Sequence, residues 1–178
     1  MDAEGQREAA TPMEPAPYPR PLADNAAFLL ARLGQETVRT FADALAPAGL
    51  APREWGLLEV LAHGGPGTQA ELCGRLSLDR GDMTRFVERL QRRGLVSTAQ
   101  DPADARARRV ALTRSGRRTL QAARPLAADA ERRALPGLDD DERAQLRRLL
   151  ATVAAHRRAA SPARTRDPAR TKTTKGPP

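Results

Sequence analysis

Leu78-Asp-Arg-Gly-Asp-Met-Thr-Arg-Phe-Val-Glu-Arg-Leu-Gln-Arg-Arg-Gly-Leu-Val96 is the most informative stretch of this chain. Its apolar side chains fall at i, i+3, i+4 and i+7 and therefore share one helical face, formed by Met83, Phe86, Val87 and Leu90. Asp79 is placed to cap the first turn, and Gly94 to end the helix in the left-handed conformation. The pattern predicts an amphipathic helix that buries this face.

The opposite face of the predicted helix is polar and rich in arginine. It comprises Gly81, Arg85, Glu88 and Arg92, with Thr84 and Arg89 on its flanks. Because arginine hydrogen-bonds well to phosphates and to guanine, we interpret this element as a DNA recognition helix. The alternative is a solvated face that only keeps the helix soluble. Glu88 would repel phosphate and is expected to pair with Arg85 or Arg92, one turn away.

Positive charge is concentrated around this helix. The chain has a formal net charge of +8, and residues 75–118 hold twelve arginines against five acidic residues. This surplus favours an anionic partner, and composition alone allows either nucleic acid or an acidic membrane. Outside the last 18 residues every basic residue is an arginine. That bias reflects either phosphate and base recognition or the codon usage of an Ala- and Arg-rich chain.

Several classes of protein are excluded or disfavoured. No apolar run approaches the roughly 20 residues that span a bilayer, and the N-terminus lacks a signal-peptide core, so we expect a cytoplasmic protein without a membrane partner. The single cysteine, Cys73, excludes an internal disulfide framework and is interpreted as a small buried hydrophobe. Neither a phosphate loop, a nucleophile elbow nor a metal-ligand cluster is recognisable, so we expect no enzyme, no cofactor and no metal.

Two helices are predicted before the central stretch. The first begins near Asp24 as N-cap and carries an apolar stripe of Leu30, Leu33, Thr37, Phe41 and Leu45. The second opens at Pro52, and its apolar face comprises Trp55, Leu58, Leu61 and Ala62.

A short third helix is predicted immediately before the recognition helix. Thr68 and Glu71 form a capping box that starts it, and it ends near Ser77. Because only two or three residues separate these two helices, they are predicted to form a helix-turn-helix.

Two strands follow the recognition helix, at 95–99 and 109–113, joined by the polar loop 100–108. A hairpin in this position is a wing. Arg108 and Arg109 at its base either support phosphate binding or face solvent. Thr113 then caps a long helix over about 114–135, which Pro125 is expected to kink or divide. Asp139 and Glu142 form a capping box that opens the last helix.

Three blocks in this order resemble the MarR family of bacterial winged-helix regulators. They are residues 47–58, residues 78–96 with the Thr84-Arg85 pair, and residues 101–116 with Asp104 and Arg106. The resemblance implies a mainly α fold with a small β-hairpin wing, that is, a winged helix-turn-helix with N- and C-terminal dimerisation helices.

The resemblance covers residues 22–160. It places the DNA-binding lobe at about 50–113 and the dimerisation helices at about 24–46 and 114–160. Residues 1–21, rich in proline, are predicted to be a disordered extension, and residues 161–178 a disordered basic tail.

The function implied by the resemblance is sequence-specific transcriptional regulation. We expect a homodimeric repressor, cytoplasmic and nucleoid-associated, that binds a pseudo-palindromic operator in double-stranded DNA and is released by a small aromatic or phenolic effector. Trp55 either lines the effector pocket or is plain core. The alternatives are a ligand-insensitive or architectural DNA-binding protein, and a protein-interaction module on a winged-helix fold.

Carried over residue by residue, the resemblance also implies a DNA-contacting set. On the recognition helix the set is Arg80, Gly81, Asp82, Thr84, Arg85 and Arg89, and on the wing it is Asp104, Arg106 and Arg108. Thr84 and Arg85 would enter the major groove. Asp104 would orient Arg106 towards the minor groove, unless the two form only a turn salt bridge.

Overall fold

Capping and periodicity in the sequence lead to seven α-helices, one short 3₁₀ helix (Ala46–Ala48) and three short strands in the computed structural model, which describes residues 18–160. The helices are α1 (Arg20–Ala23), α2 (Ala26–Leu45), α3 (Pro52–Gly64), α4 (Gln69–Leu76), α5 (Arg80–Arg92), α6 (Arg114–Ala134) and α7 (Asp140–Ala160). The strands are β1 (Gly67–Thr68), β2 (Val96–Gln100) and β3 (Arg108–Leu112). Residues 1–17 and the predicted basic tail, 161–178, lie outside the described residues.

The predicted starts of α4 and α7 are confirmed by reciprocal cap hydrogen bonds. At α4 the Thr68 amide donates to the Glu71 carboxylate at 2.8 Å, and the Glu71 amide donates to Thr68 Oγ1 at 3.3 Å. Asp139 and Glu142 form the same arrangement at α7, with distances of 2.9 and 2.8 Å. These contacts span three residues, which is why the sequence shows them directly.

Two local predictions were wrong, and one of the two alternatives given for Pro125 is excluded. The N-cap of α2 is Asn25, whose Oδ1 accepts the Phe28 amide at 3.0 Å, whereas Asp24 follows the end of α1. Regular structure begins at Arg20, inside the segment 1–21 that was expected to be disordered. Pro125 does not divide α6, which runs unbroken from Arg114 to Ala134.

The predicted wing hairpin is present, and a third strand extends it. The strand order is β1-β3-β2, with antiparallel pairs throughout. Val96 lies opposite Leu112 across β2 and β3, and Gly67 lies opposite Val110 across β1 and β3. Thr68 both ends β1 and caps α4, so the two-residue strand ties the wing to the helix-turn-helix.

One apolar core connects the helix-turn-helix with the sheet and with α3. Its fully buried large side chains are Leu45, Leu57, Leu58, Leu72, Met83, Leu90, Val87 and Val110. Burying each such side chain stabilises the fold by about 1.5–3 kcal/mol. Leu57 belongs to this core, whereas Ala62, predicted for the same face of α3, is exposed.

Two helices keep apolar side chains on their surface. The exposed apolar side chains are Leu30, Leu33 and Val38 on α2 and Leu149, Leu150 and Val153 on α7. Together with Leu22 of the short helix α1, their exposed fractions range from 38 to 59%. An ion pair between Arg147 and Glu131, at 2.9 Å, connects α7 with α6. None of the helices described between residues 18 and 160 is both long and apolar enough to cross a membrane.

The start of α6 is docked tightly on the end of the recognition helix. The Thr113 amide donates to the Leu95 carbonyl at 3.1 Å, and Thr113 Oγ1 donates to the Gly94 carbonyl at 2.7 Å. A Cβ atom at Gly116 would lie 2.0 Å from the Leu95 oxygen, so only glycine fits there. The wing, the recognition helix and α6 therefore meet at one point.

Candidate nucleic-acid interface

The recognition helix α5 has the faces that its periodicity predicts. Asp79 Oδ1 accepts the Asp82 amide at 2.8 Å, and Gly94 has a φ of 68°, so the start and the stop are both as expected. Met83, Val87 and Leu90 are buried, and Phe86 packs against the core at its margin. The outward face is left to polar side chains.

Thr84 is partly turned towards the preceding helix. Its Oγ1 lies 2.9 Å from the Arg80 carbonyl, one turn back, and 3.2 Å from Gln69 Oε1 of α4. The hydroxyl is half-buried at the junction of the two helices. Thr84 thus helps to fix the angle between α4 and α5.

Asp82 occupies the front of α5 between two arginines. Its Oδ1 accepts a hydrogen bond from Arg85, one turn along the helix, and its Oδ2 accepts one from Arg53 of α3 at 3.3 Å. The hydrogen bond and the charge of Asp82 raise the pKa of Arg85. Arg85 therefore pairs with Asp82 and not with Glu88, contrary to one of the sequence-based expectations.

Arg89 is bound to a buried carboxylate. Glu54 of α3 is 2% exposed, and its Oε1 accepts the Arg89 Nε hydrogen bond. The other oxygen of Glu54 accepts the Ala51 amide at 2.9 Å and lies 3.6 Å from Arg93. The guanidinium of Arg89 also lies 5.2 Å from the centroid of the Phe86 ring. Arg89 and Arg93 hold α5 against α3, and a DNA contact by Arg89 stays a prediction.

The wing loop is organised by a second buried carboxylate. Asp101 is 5% exposed and accepts the amides of Ala103 and Asp104 at 2.7 and 3.3 Å. It also forms an ion pair with Arg109 at 3.0 Å. The Ala103 amide, with further support from Arg109, lowers the pKa of Asp101.

Arg109 therefore has a structural role at the base of the wing, and a phosphate contact by its partly exposed side chain stays a prediction. Its second guanidinium nitrogen donates to the Pro66 carbonyl at 2.6 Å, which links the wing to the segment before β1. Sequence reasoning left this role open because its partners lie 8 and 43 residues away.

The tip of the wing presents Arg106. The carboxylate of Asp104 accepts the backbone amide of Arg106 at 2.9 Å, so it shapes the turn and does not pair with the guanidinium. Among the described residues, no hydrogen bond or ion pair engages the exposed side chain of Arg106. Arg108 donates to Thr98 Oγ1 at 2.9 Å across the hairpin and remains exposed.

A cavity of about 350 Å³ lies between α2, α3 and α6. Its lining comprises Phe41, Trp55, Arg124, Ala127, Ala128 and Glu131. The rings of Phe41 and Trp55 are 6.0 Å apart, and Trp55 Nε1 is buried without a hydrogen-bond partner among the described residues. At the edge of the cavity, Arg124 forms two 3.0 Å hydrogen bonds to Glu59.

Cys73 is a partly buried free cysteine on α4. Partial burial raises the pKa of the Cys73 thiol, whose sulfur lies 3.7 Å from the Asp79 carbonyl. A thiol with a raised pKa is poorly reactive. In the part of the chain between residues 18 and 160, His, Cys, Asp and Glu side chains form no group that could hold a metal ion.

Comparison with known proteins gives a consistent result. A model described as the MarR family matches residues 48–107. YkoM of Bacillus subtilis, an uncharacterized HTH-type transcriptional regulator, is 35% identical over 108 residues, which cover 61% of this chain and 70% of YkoM. The HTH-type transcriptional repressor NicR of Pseudomonas putida is 30% identical over 142 residues, which cover 80% of this chain and 89% of NicR.

Solved structures agree with the sequence relatives. A mutant MarR from E. coli complexed with operator DNA has a TM-score of 0.64 and 28% identity, covering 75% of this chain and 94% of that one. BpsR of Bordetella bronchiseptica, whose DNA binding is regulated by 6-hydroxynicotinic acid, has a TM-score of 0.68 and 26% identity, covering 78% and 97%.

These matches confirm the mainly α winged-helix fold that the sequence predicted. The relatives are transcriptional regulators and not enzymes. Since two of them share 30% identity or more over at least 70% of their own length, the chain belongs to the MarR family.

Proposed function

We propose that the protein is a homodimeric transcriptional repressor that binds a pseudo-palindromic operator in double-stranded DNA. The observation that carries this proposal is that Arg106 is exposed at the tip of the wing, in a chain whose helix α5 also exposes arginines on its outward face. The operator complex of a mutant MarR from E. coli and the repressor name of NicR support it. We place the protein in the cytoplasm, on the nucleoid.

In this proposal α5 enters the major groove by its N-terminal half. Arg80, Gly81 and Arg85 are exposed there, and a side chain at Gly81 would crowd the Asp79 cap, which lies 3.3 Å from the position of its Cβ. Arg85 reads bases, since arginine can bind guanine through two hydrogen bonds. Arg106 enters the minor groove, whose negative potential attracts guanidinium groups.

The exposed apolar side chains of α2 and α7 support a second copy of the chain as the partner. Contiguous apolar surface on a helix is covered in the functional assembly of most soluble proteins. A two-fold dimer would present two recognition helices, and a separation of about 34–36 Å would place them in successive major grooves of one face of B-DNA. Two half-sites related by symmetry make the operator a pseudo-palindrome.

The cavity beside Trp55 supports a small aromatic or phenolic effector. Its volume of about 350 Å³ is at the lower end of the range for small-molecule sites. The ring of Phe41 offers a stacking surface, and the buried Trp55 Nε1, unpartnered among the described residues, would donate a hydrogen bond to a phenolic or carboxylate oxygen of a ligand that reaches it. Because the cavity touches both α6 and the DNA-binding lobe, a ligand there releases DNA if it favours one spacing of the recognition helices.

Selection of bound duplexes from a randomised pool tests the DNA-binding role. We expect the purified full chain to enrich an inverted repeat with half-sites about one helical turn apart. Analytical ultracentrifugation of the same sample should show a dimer. Failure to enrich any sequence at low ionic strength would contradict the proposal. Enrichment without inverted symmetry would favour a non-dimeric, architectural mode of binding.

A thermal-shift screen of hydroxylated aromatic acids tests the effector site. Compounds that stabilise the wild-type protein should release the selected duplex in a fluorescence anisotropy assay. Trp55→Phe keeps an aromatic ring and removes the Nε1 donor, so it should weaken the response to such compounds while DNA binding without effector persists. An equal response of the two proteins would place the effector elsewhere.

A further inference from the structure

A single carboxylate restrains two arginines on the surface that the proposed function turns towards DNA. Asp82 bonds to Arg85 on its own helix and to Arg53 on α3, the latter at 3.3 Å. The arginine side chains are 72% and 63% exposed, whereas Asp82 is 24% exposed. Both guanidinium groups are therefore accessible to a polyanion, and both are folded back onto one anion.

Helix capping does not account for this carboxylate. Asp79 already supplies the cap of α5, because its Oδ1 accepts the Asp82 amide at 2.8 Å. The side chain of Asp82 bonds to the two arginines through different oxygens. A negative charge in the first turn interacts favourably with the helix dipole, but an asparagine or serine would serve a helix start without repelling phosphates.

We propose that Asp82 is a specificity-determining residue that suppresses binding to random DNA, an inference that rests on the proposed function. On any duplex, a phosphate that binds Arg53 and Arg85 displaces the Asp82 carboxylate. The net gain in binding free energy is small, because one anion replaces another. Asp82 also repels the phosphates themselves. Only a base pair that offers Arg85 two hydrogen-bond acceptors contributes more binding free energy than the displaced ion pair contributed.

The charge acts as a repulsive element in recognition. Specificity is a ratio of affinities, and it rises when the wrong partner is weakened as well as when the right one is favoured. Removal of Asp82 should therefore change affinity for unrelated sequences more than affinity for the operator. A contact that only stabilises the fold would change both in the same proportion.

The test compares Asp82→Asn with Asp129→Asn in the full-length protein. Asp129 also binds two arginines, Arg132 and Arg133 at 3.2 and 3.0 Å, but on α6, so it controls for the lost charge. Fluorescence anisotropy against salt is measured with the duplex selected by the wild type and with a scrambled duplex. Circular dichroism and thermal melting verify that both variants are folded.

For Asp82→Asn we expect scrambled-duplex affinity to rise about three- to tenfold, as for the loss of exposed ion pairs and of a repulsive charge near phosphate. The salt slope on that duplex should steepen by about 0.9 for each arginine released per subunit. Affinity for the selected duplex should change less, so the ratio of selected-duplex affinity to scrambled-duplex affinity falls. Asp129→Asn should leave ratio and slope unchanged. An Asp82→Asn protein with the same affinity ratio between the two duplexes as the wild type would overturn the inference.

A second background separates restraint from simple charge repulsion. In the double variant Arg53→Ala/Arg85→Ala, the additional change Asp82→Asn should raise scrambled-duplex affinity much less than it does in the wild type, because no arginine remains to be released and only the direct repulsion is lost. A full effect in that background would overturn the restraint by Asp82. If the wild type selects no duplex at all, the proposed function fails. If it selects one and Asp82→Asn discriminates equally well, only the present inference fails.

Discussion

Arg89 of the recognition helix and Glu54 of α3 form an ion pair across 35 residues of sequence, with the carboxylate almost completely buried. Arginines on a recognition helix are readily assigned to DNA, and the sequence favoured that role for Arg89. The structure uses Arg89 to set the position of α5 relative to α3.

Glu54→Gln should destabilise the protein by about 2 kcal/mol. Breaking a buried ion pair costs about 3–5 kcal/mol, and the loss is smaller here because the Arg89 side chain is 44% exposed. Chemical denaturation measures the change. Glu36→Gln removes the exposed pair between Arg32 and Glu36 and should cost at most about 0.5 kcal/mol. Equal effects of the two changes would contradict the assigned role of Glu54.

Arg106→Ala should weaken operator binding by about 1–3 kcal/mol and leave stability and dimerisation unchanged. The reason is that the side chain is exposed at the wing tip and the described residues give it no structural contact. Anisotropy titrations measure the affinity, and ultracentrifugation the association state. Arg132→Ala on α6 is the matched loss of charge and should bind DNA as the wild type does. Unaltered affinity of Arg106→Ala would refute the wing assignment.

Asp101→Asn should reduce the loss of stability in acid. Hydrogen bonds from the Ala103 amide and from Arg109 lower the pKa of Asp101 in the folded state. The corresponding stability is complete above the unfolded-state pKa of about 3.9 and is lost as the pH falls through the lower folded-state value.

Thermal unfolding between about pH 7 and pH 3 measures this effect of Asp101, since the window includes the unfolded-state pKa of about 3.9. The midpoint of the wild type should fall more steeply below about pH 4 than that of Asp101→Asn. Asp43→Asn, at an exposed position on α2, is the control and should follow the wild-type curve. Parallel curves for the wild type and Asp101→Asn would show that the carboxylate is not held as described.

Gly116→Ala should destabilise the protein by about 1–3 kcal/mol or more, the usual cost of overpacking. Its Cβ would lie 2.0 Å from the Leu95 carbonyl oxygen and 2.8 Å from a methyl group of Leu112. Denaturation midpoints provide the measurement. The matched change Gly74→Ala, in a helical position with no atom within 4 Å, should instead stabilise by about 0.5–1 kcal/mol. A neutral Gly116→Ala would mean that α6 moves away from Leu95 easily.

Apart from the wing hairpin, the parts of the fold that the sequence predicted depend on contacts within one helical turn. The capping pairs Thr68 with Glu71 and Asp139 with Glu142 are three residues apart, and the buried face of α5 repeats at the period of the helix. Where two polar residues adjoin, as Asp24 and Asn25 do, local reasoning does not decide which one caps the helix.

The parts that were missed depend on residues brought together only by folding. Arg53 and Asp82 are 29 residues apart, and Arg109 and Pro66 are 43 residues apart. A strand as short as β1 has no periodicity to detect, and its pairing with β3 is visible only in three dimensions. Which arginines are braces and which are accessible to DNA follows from such distant partners.

The contacts at Leu95 connect α5 rigidly to α6. The Leu95 carbonyl accepts the Thr113 amide hydrogen bond and packs against Gly116, so these contacts leave no flexible hinge between the end of α5 and the long helix α6. We expect a rotation of α6 by a few degrees to be transmitted to the recognition helix α5 without loss. A ligand bound beside α6 would then change the orientation of α5 without contacting it.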